Sequence, residues 1–346
     1  MKKTKLFSLV TGLLLSIAAP LAIVSAWGGH AGQRPQEKDE YRLEGPFTQG
    51  NLTVFLIHGK DKIKGQTFIT LQEALVQRKV IVRETRSVNE LSIENISSEE
   101  VFVQSGDIVK GGQQDRMLVV DLILPPRSGK IPIAAFCVEN GRWSRRGNEE
   151  VTTFTSSSNV VASREVKLAA KARGSQGEVW REVAAAQDKL SANVGGNVKN
   201  EASPTSFQLA LENKEVQKTA ENYIDALSGI VNGKTDVIGY VFAINGKINS
   251  ADIYASSVLF KKLWPKLLKA SAIEAIAELR RGEKFSAPSA DAVRGFLDDS
   301  KGTEKEKDVS PRVQTVTRES SGSVFFETRD KAKSNVWVHR NVIKKD

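Results

Sequence analysis

Between Ser105 and Pro126 the chain reads SGDIVKGGQQDRMLVVDLILPP, and the polar half of that stretch is equipped for chemistry. Asp107, Lys110, Gln113, Gln114, Asp115 and Arg116 surround the pair Gly111-Gly112. Adjacent glycines let the backbone adopt conformations that other residues avoid, or approach a ligand closely. In an extended turn alternate side chains face one way, so several of these groups can converge on a polar ligand. Carboxylates there can act as acid or base, while amides and a guanidinium bind hydroxyls or phosphates. The competing account is a polar hairpin whose side chains satisfy its own backbone.

A second constellation is CVENGRW, Cys137 to Trp143. Glu139, Arg142 and Trp143 follow an apolar strand around an Asn-Gly turn. A carboxylate, a guanidinium and an indole beside one turn suit a sugar or a nucleotide, through stacking and bidentate polar contacts. The same residues also make a structural Glu–Arg pair with Trp143 covering the core edge. RMLVVDLILPPRSGKIPIAAFCVE reads as two strands joined by a Pro/Gly turn, which brings Arg116 near Glu139. The two clusters then form one site. Asp115 or Glu139 would serve as general acid or base, and Gly111, Gly112, Gln113, Gln114, Arg116, Arg142 and Trp143 would hold the ligand. Two carboxylates at a suitable distance can run glycosidic-bond chemistry. Cys137, the only cysteine, is a further nucleophile candidate, although a lone cysteine in a strand-like run is more often a small buried hydrophobe.

Several chemistries are not signalled. His30, His58 and His339 are scattered without zinc-ligand spacing, so no metal is expected, and no cofactor is indicated. There is no G-x-S-x-G elbow and no phosphate-binding G-x-x-x-x-G-K-[ST] loop. Asp252 and Tyr254 follow a hairpin turn and read as ordinary strand-end residues.

Residues 1–26 look like a signal peptide. MKKTK is a short basic segment, LFSLVTGLLLSIAAPLAIV is uncharged and mostly apolar, and Val24-Ser25-Ala26 has the small residues a signal peptidase reads. Cleavage after Ala26 and export to the periplasm or outside are therefore expected. That cleavage removes three lysines and no acid, lowering the formal charge from +9 to +6. The balance is mild, and no dense Lys/Arg block carries interleaved aromatics, which disfavours nucleic-acid binding. No later segment is long and apolar enough to span a membrane. One cysteine means no internal disulfide, so stability must come from packing.

Residues 27–47 are polar and aperiodic, a leader into the fold. Residues 48–163 alternate short apolar runs with polar turns, the pattern of an antiparallel sheet or sandwich. Within it Thr70 can cap a short helix with Glu73 three residues on. TTFTSSSNVVAS reads as a loop. Residues 164–299 hold a helix with Val179, Val183 and Leu190 on its apolar stripe, then a second with Val216, Ala220, Tyr223 and Leu227. A hairpin turning at Asn245-Gly246 follows, then a helical run through Leu259, Leu263, Leu267, Ile273, Ile276 and Leu279, in which Pro265 marks a kink or a start near Trp264. Residues 300–312 are a charged linker, and 313–346 are C-terminal strands. The expected class is α+β: an antiparallel β-rich N-terminal half with a helix-hairpin-helix C-terminal half packed on it.

NLTVFLIHG, TLQEAL, GDIVKGGQQDR, IPIAAFCVENGRW and the later GYVFAINGKINSADIYASSVLFKKLWPKLLKASAIEAI together resemble a bacterial family. It is the ARG and rhodanese-phosphatase-superfamily-associated protein domain, where ARG stands for ADP-ribosylglycohydrolase. The family has no established activity, and its name implies a link to ADP-ribose or nucleotide metabolism. Its characteristic polar positions correspond here to Gly111, Gln114, Arg116, Cys137, Glu139, Arg142 and Trp143, which implies that both clusters share a site. Two functions remain open. One is a hydrolase or transferase acting on a sugar- or nucleotide-like substrate. The other is a non-catalytic, envelope-associated binding or scaffold module whose polar clusters are structural. Pocket geometry separates them: an open cleft favours the first, a closed hydrogen-bonded cluster the second.

Overall fold

The computed structural model describes residues 41–63, 65–299 and 302–345. The expected signal peptide, and the leader up to residue 40, lie outside the described residues. In chain order the strands are β1 (Arg42–Gln49), β2 (Leu52–His58), β3 (Ile69–Thr70), β4 (Val80–Ser87), β5 (Glu90–Asn95) and β6 (Val101–Val103). They continue as β7 (Asp107–Gly111), β8 (Arg116–Leu118), β9 (Leu122–Leu124), β10 (Gly129–Cys137) and β11 (Thr153–Val161). After a helical stretch come β12 (Val237–Ile244), β13 (Lys247–Tyr254), β14 (Thr303–Asp308), β15 (Val313–Glu319), β16 (Ser323–Asp330) and β17 (Val336–Lys344). The helices are α1 (Leu71–Val76), α2 (Arg164–Lys167), α3 (Gln176–Val194), α4 (Phe207–Leu211), α5 (Lys214–Leu227), α6 (Ser257–Ala277) and α7 (Ala290–Leu297), with a π-helical turn at Leu168–Ala172 directly after α2.

Two sheets organise the molecule. The larger has eight strands in the order β1-β2-β12-β13-β17-β16-β15-β14, every neighbour antiparallel. The other is a closed barrel, β10-β5-β4-β11-β7-β8, flanked by the small sheet β3-β6-β9. The barrel interior follows from alternation: Val82 of β4, Leu91 and Ile93 of β5, Val109 of β7, Leu118 of β8 and Phe154 of β11 form one buried cluster.

Local chemistry explains several elements. Thr70 caps α1 as a capping box: its Oγ1 accepts from the Glu73 amide at 3.2 Å, and its own amide donates to Glu73 Oε2 at 2.7 Å. Asn245 and Gly246 both take positive φ, 53° and 75°, as the tight β12–β13 turn requires. The apolar stripes on α3 and α5 are buried, at Val179, Val183 and Leu190 and at Val216, Ala220 and Tyr223.

The structure departs from the sequence reading in four places. The C-terminal half is not a separate helix-hairpin-helix layer, because β12 and β13 pair outward with β2 and β17 in the middle of the large sheet. TTFTSSSNVVAS is not a loop but contains barrel strand β11, whose Phe154 pairs with both Val82 and Gly111. Residues 42–47, expected in the leader, begin β1. The charged segment 300–312 contains β14, TEKEKD, exposed at all six positions. Alternating charges on an edge strand discourage further pairing, so a segment that looks like a linker can end a sheet.

Candidate functional site

The residues of the two polar clusters meet at one end of the barrel. β8 pairs with β10 so that Arg116 lies opposite Cys137, and Glu139 follows two residues later. Gly112, with φ 55°, makes the turn that delivers Asp115: a Cβ there would sit 2.3 Å from the Phe154 ring.

Asp115 and Glu139 are both fully buried. Asp115 Oδ1 accepts from the Gly111 amide at 3.0 Å and Arg146 Nη2 at 2.8 Å, and Oδ2 accepts from Arg146 Nη1 at 2.8 Å and Ser206 Oγ at 2.6 Å. Glu139 Oε1 accepts from Arg142 Nε at 2.6 Å, Arg146 Nη1 at 3.3 Å and Ser203 Oγ. Its Oε2 accepts from the Asp115 amide at 2.9 Å and Arg142 Nη2 at 2.7 Å. Arg142 also donates to the carbonyls of Gly111, Gly112 and Ser144. Gln114 Nε2 donates to the Glu139 carbonyl at 2.9 Å. Burial opposes the charge on Arg146, but Asp115, Glu149 and Glu139 together outweigh it and raise its pKa. Every carboxylate oxygen is thus engaged, and the knot ties the barrel end to the 203–206 loop.

Arg116 stands apart. Alternation puts it inside the barrel with Leu118, Cys137 and Glu84. Its Nη1 donates to the Gln114 carbonyl at 3.1 Å, and Nη2 lies 3.6 Å from Glu84 Oε2. Its Nε and Nη2 make no hydrogen bond although the residue is fully buried. The Trp143 ring centroid is 5.6 Å from its guanidinium carbon, and Trp143 is 48% exposed.

Cys137 is buried, with Sγ 3.8 Å from the Val88 carbonyl. Burial pushes its thiol up to about 11, against the opposing pull of Arg116, so the reactive thiolate is scarce at neutral pH. Iodoacetamide at pH 7.5 is expected to leave Cys137 unlabelled in the native protein and to label it completely in denaturant. Rapid native labelling would overturn this assignment.

A richer ionisable cluster escaped the sequence reading. His339 of β17 holds Asp121 Oδ2 at 2.7 Å through Nδ1 and Asp252 Oδ1 at 3.0 Å through Nε2, and stacks on Tyr254 with ring centroids 4.6 Å apart. Asp121 also accepts from the Ser105 amide at 2.6 Å and Thr328 Oγ1 at 2.6 Å. Lys171, in the π-helical turn, reaches Ser105 Oγ at 2.9 Å and Asn341 Oδ1 at 3.2 Å. Burial works against the charge on His339, but the Asp121 and Asp252 carboxylates together outweigh it and lift the imidazole to about 8. Burial lowers Lys171 to about 8 despite Asp121. The cluster binds barrel turns to the sheet and the π-helical turn. Its signal was faint: His339 and Asn341 are polar residues at alternate positions of an otherwise largely apolar strand.

Among the described residues no group of three or more His, Cys, Asp or Glu side chains can hold a metal ion, and no helix is long and apolar enough to cross a membrane. The hollow between α3 and α6, lined by Ala185, Phe207 and Ile273, includes no residue of either polar cluster.

Fold and site together define an α+β protein: a small closed barrel beside an antiparallel sheet, with a closed ionic knot at the barrel's end. The chain belongs to the ARG and Rhodanese-Phosphatase-superfamily-associated Protein domain family, which it matches over residues 40–343. No curated protein and no solved structure matches it.

Proposed function

We propose that this chain is a non-catalytic, exported binding or scaffold module in which the Asp115–Glu139–Arg142–Arg146 knot is structural. The observation carrying this reading is the closure of the knot. A general acid or base must reach the proton it transfers. Asp115 and Glu139 are fully buried, and their oxygens already accept from two arginines, two serines and two backbone amides. Groups so fully satisfied rigidify a fold. Export rests on the basic, apolar and small-residue pattern of residues 1–26.

The test pairs activity with folding. The protein is incubated with glycosides, nucleotides and ADP-ribose, and the melting temperatures of Asp115→Asn and Glu139→Gln are measured. No turnover and a clear loss of stability in both variants are expected. Turnover by the wild type, abolished in a variant that melts at the wild-type temperature, would establish a hydrolase or transferase instead.

A further inference from the structure

We propose that the barrel end beneath Trp143 binds a neutral hydroxylated ligand, a sugar or polyol, through the Nε–Nη2 edge of Arg116. The proposal rests on the binding-module reading and names its ligand class. On a guanidinium, Nε–H and one Nη2–H point the same way and form a two-pronged donor. In Arg116 this prong is the unsatisfied part: neither nitrogen makes a hydrogen bond, and the residue is fully buried. Nη1, by contrast, is held by Gln114.

The neighbouring groups choose the ligand chemistry. Glu84 Oε2 lies 3.6 Å from Nη2 and accepts from the Gln113 amide at 3.3 Å. The side-chain oxygen of Gln113 is itself buried without a partner. Free donors and a free acceptor therefore belong to residues joined through one carboxylate. A hydroxyl both accepts and donates, and two neighbouring hydroxyls can span the Arg116 prong. An ionised carboxylate or a phosphodiester can accept but cannot supply a proton to Gln113. Charge argues the same way. The guanidiniums of Arg116, Arg142 and Arg146 and the ammonium of Lys110 already face the five carboxylates of Glu84, Asp115, Glu139, Glu149 and Glu212. An added anion would meet excess negative charge in a buried setting.

Trp143 supplies the remaining element. It covers the guanidinium with one face and is half exposed, on a loop that contains Gly141 at φ 82°. An indole that swings aside opens Arg116, and its face then suits the apolar side of a sugar ring. Entry by this route asks for rotation of the Trp143 side chain alone, because Arg142 and Ser144 on either side of it are held in the knot.

The test uses the full chain and isothermal titration with ribose, glucose and glycerol, beside inorganic phosphate and acetate. At least one neutral probe is expected to bind, and both anions are expected to give no heat. Trp143→Ala, at a half-exposed position, should weaken binding at least tenfold while leaving the melting temperature within a degree or two. Arg116→Gln should abolish binding, with circular dichroism reporting whether that buried variant folds. Binding by phosphate or acetate, or sugar binding unchanged in Trp143→Ala, would overturn the proposal. So would silence from every neutral probe, and that result would leave the structural role of the knot standing, because the knot is judged by the stability of Asp115 and Glu139 variants.

Discussion

Arg146→Ala is expected to lower the unfolding free energy by about 3–5 kcal/mol, the usual cost of removing one partner from a buried ion pair. The side chain is almost fully buried and sits between Asp115, Glu139 and Glu149. Truncation leaves Asp115, which is completely buried, with only the Gly111 amide, Ser206 and the more distant Arg142 for compensation. Arg146→Lys should recover part of the loss, because a single ammonium cannot form the paired bonds to both Asp115 oxygens that the fork makes at 2.8 Å. Urea denaturation of the three proteins measures the effect. A truncation costing less than about 1 kcal/mol would fall in the range of exposed pairs and would mean the knot is open to water.

The second large effect is a dependence of stability on pH led by His339, which Lys171, lowered by burial to about 8, partly opposes above neutrality. His339 binds its proton more tightly in the folded chain, where its pKa is about 8, than in the unfolded chain, where it is 6.5. The resulting stabilisation is complete below about pH 6.5 and is lost as pH climbs through 8. A shift of this size corresponds to about 2 kcal/mol. Asp121 adds the opposite limb. Burial disfavours its charge, but His339 and Lys171 hold the carboxyl well below its ordinary value. Its contribution is therefore present at neutral pH and disappears as the solution is acidified. Thermal melts at pH 6, 7 and 8 should show falling stability in the wild type and a flatter profile in His339→Gln. Parallel profiles for the two proteins would remove His339 from this role.

Local chemistry was legible in the sequence where it depends on residues close together. The Thr70–Glu73 capping box, the Asn245-Gly246 turn and the stripes on α3 and α5 all stand where spacing places them. The Pro/Gly turn after β9 does not join paired strands as expected: β9 pairs with β6, and Arg116 lies beside Cys137 because β8 pairs with the end of β10. What escaped was long-range. Ser203 and Ser206 lie in a stretch that reads only as a turn-forming loop, yet they complete the coordination of Glu139 and Asp115. Arg146, within the polar stretch after Trp143, binds both carboxylates through a geometry that no local spacing encodes. Asp115 and Glu139, expected to donate and accept protons, are fully buried, and that burial could not be read from the sequence. β11 was missed because Ser and Thr favour both turns and strands, and barrel closure decided between them.

The order of strands in the large sheet sets a timetable for making the molecule. β2 from the start of the fold lies on one side of the β12–β13 hairpin, and β17 from its far end lies on the other. During synthesis, β13 has an open edge for more than eighty residues, until Val336–Lys344 has been made. Pairings that span such separations are slow to form, because loop closure precedes any gain from contact. The large sheet therefore closes only once β17 has emerged, although every strand of the barrel precedes it. The last strand acts as the bolt that closes the sheet, joining the β16-β15-β14 meander to the β12–β13 hairpin.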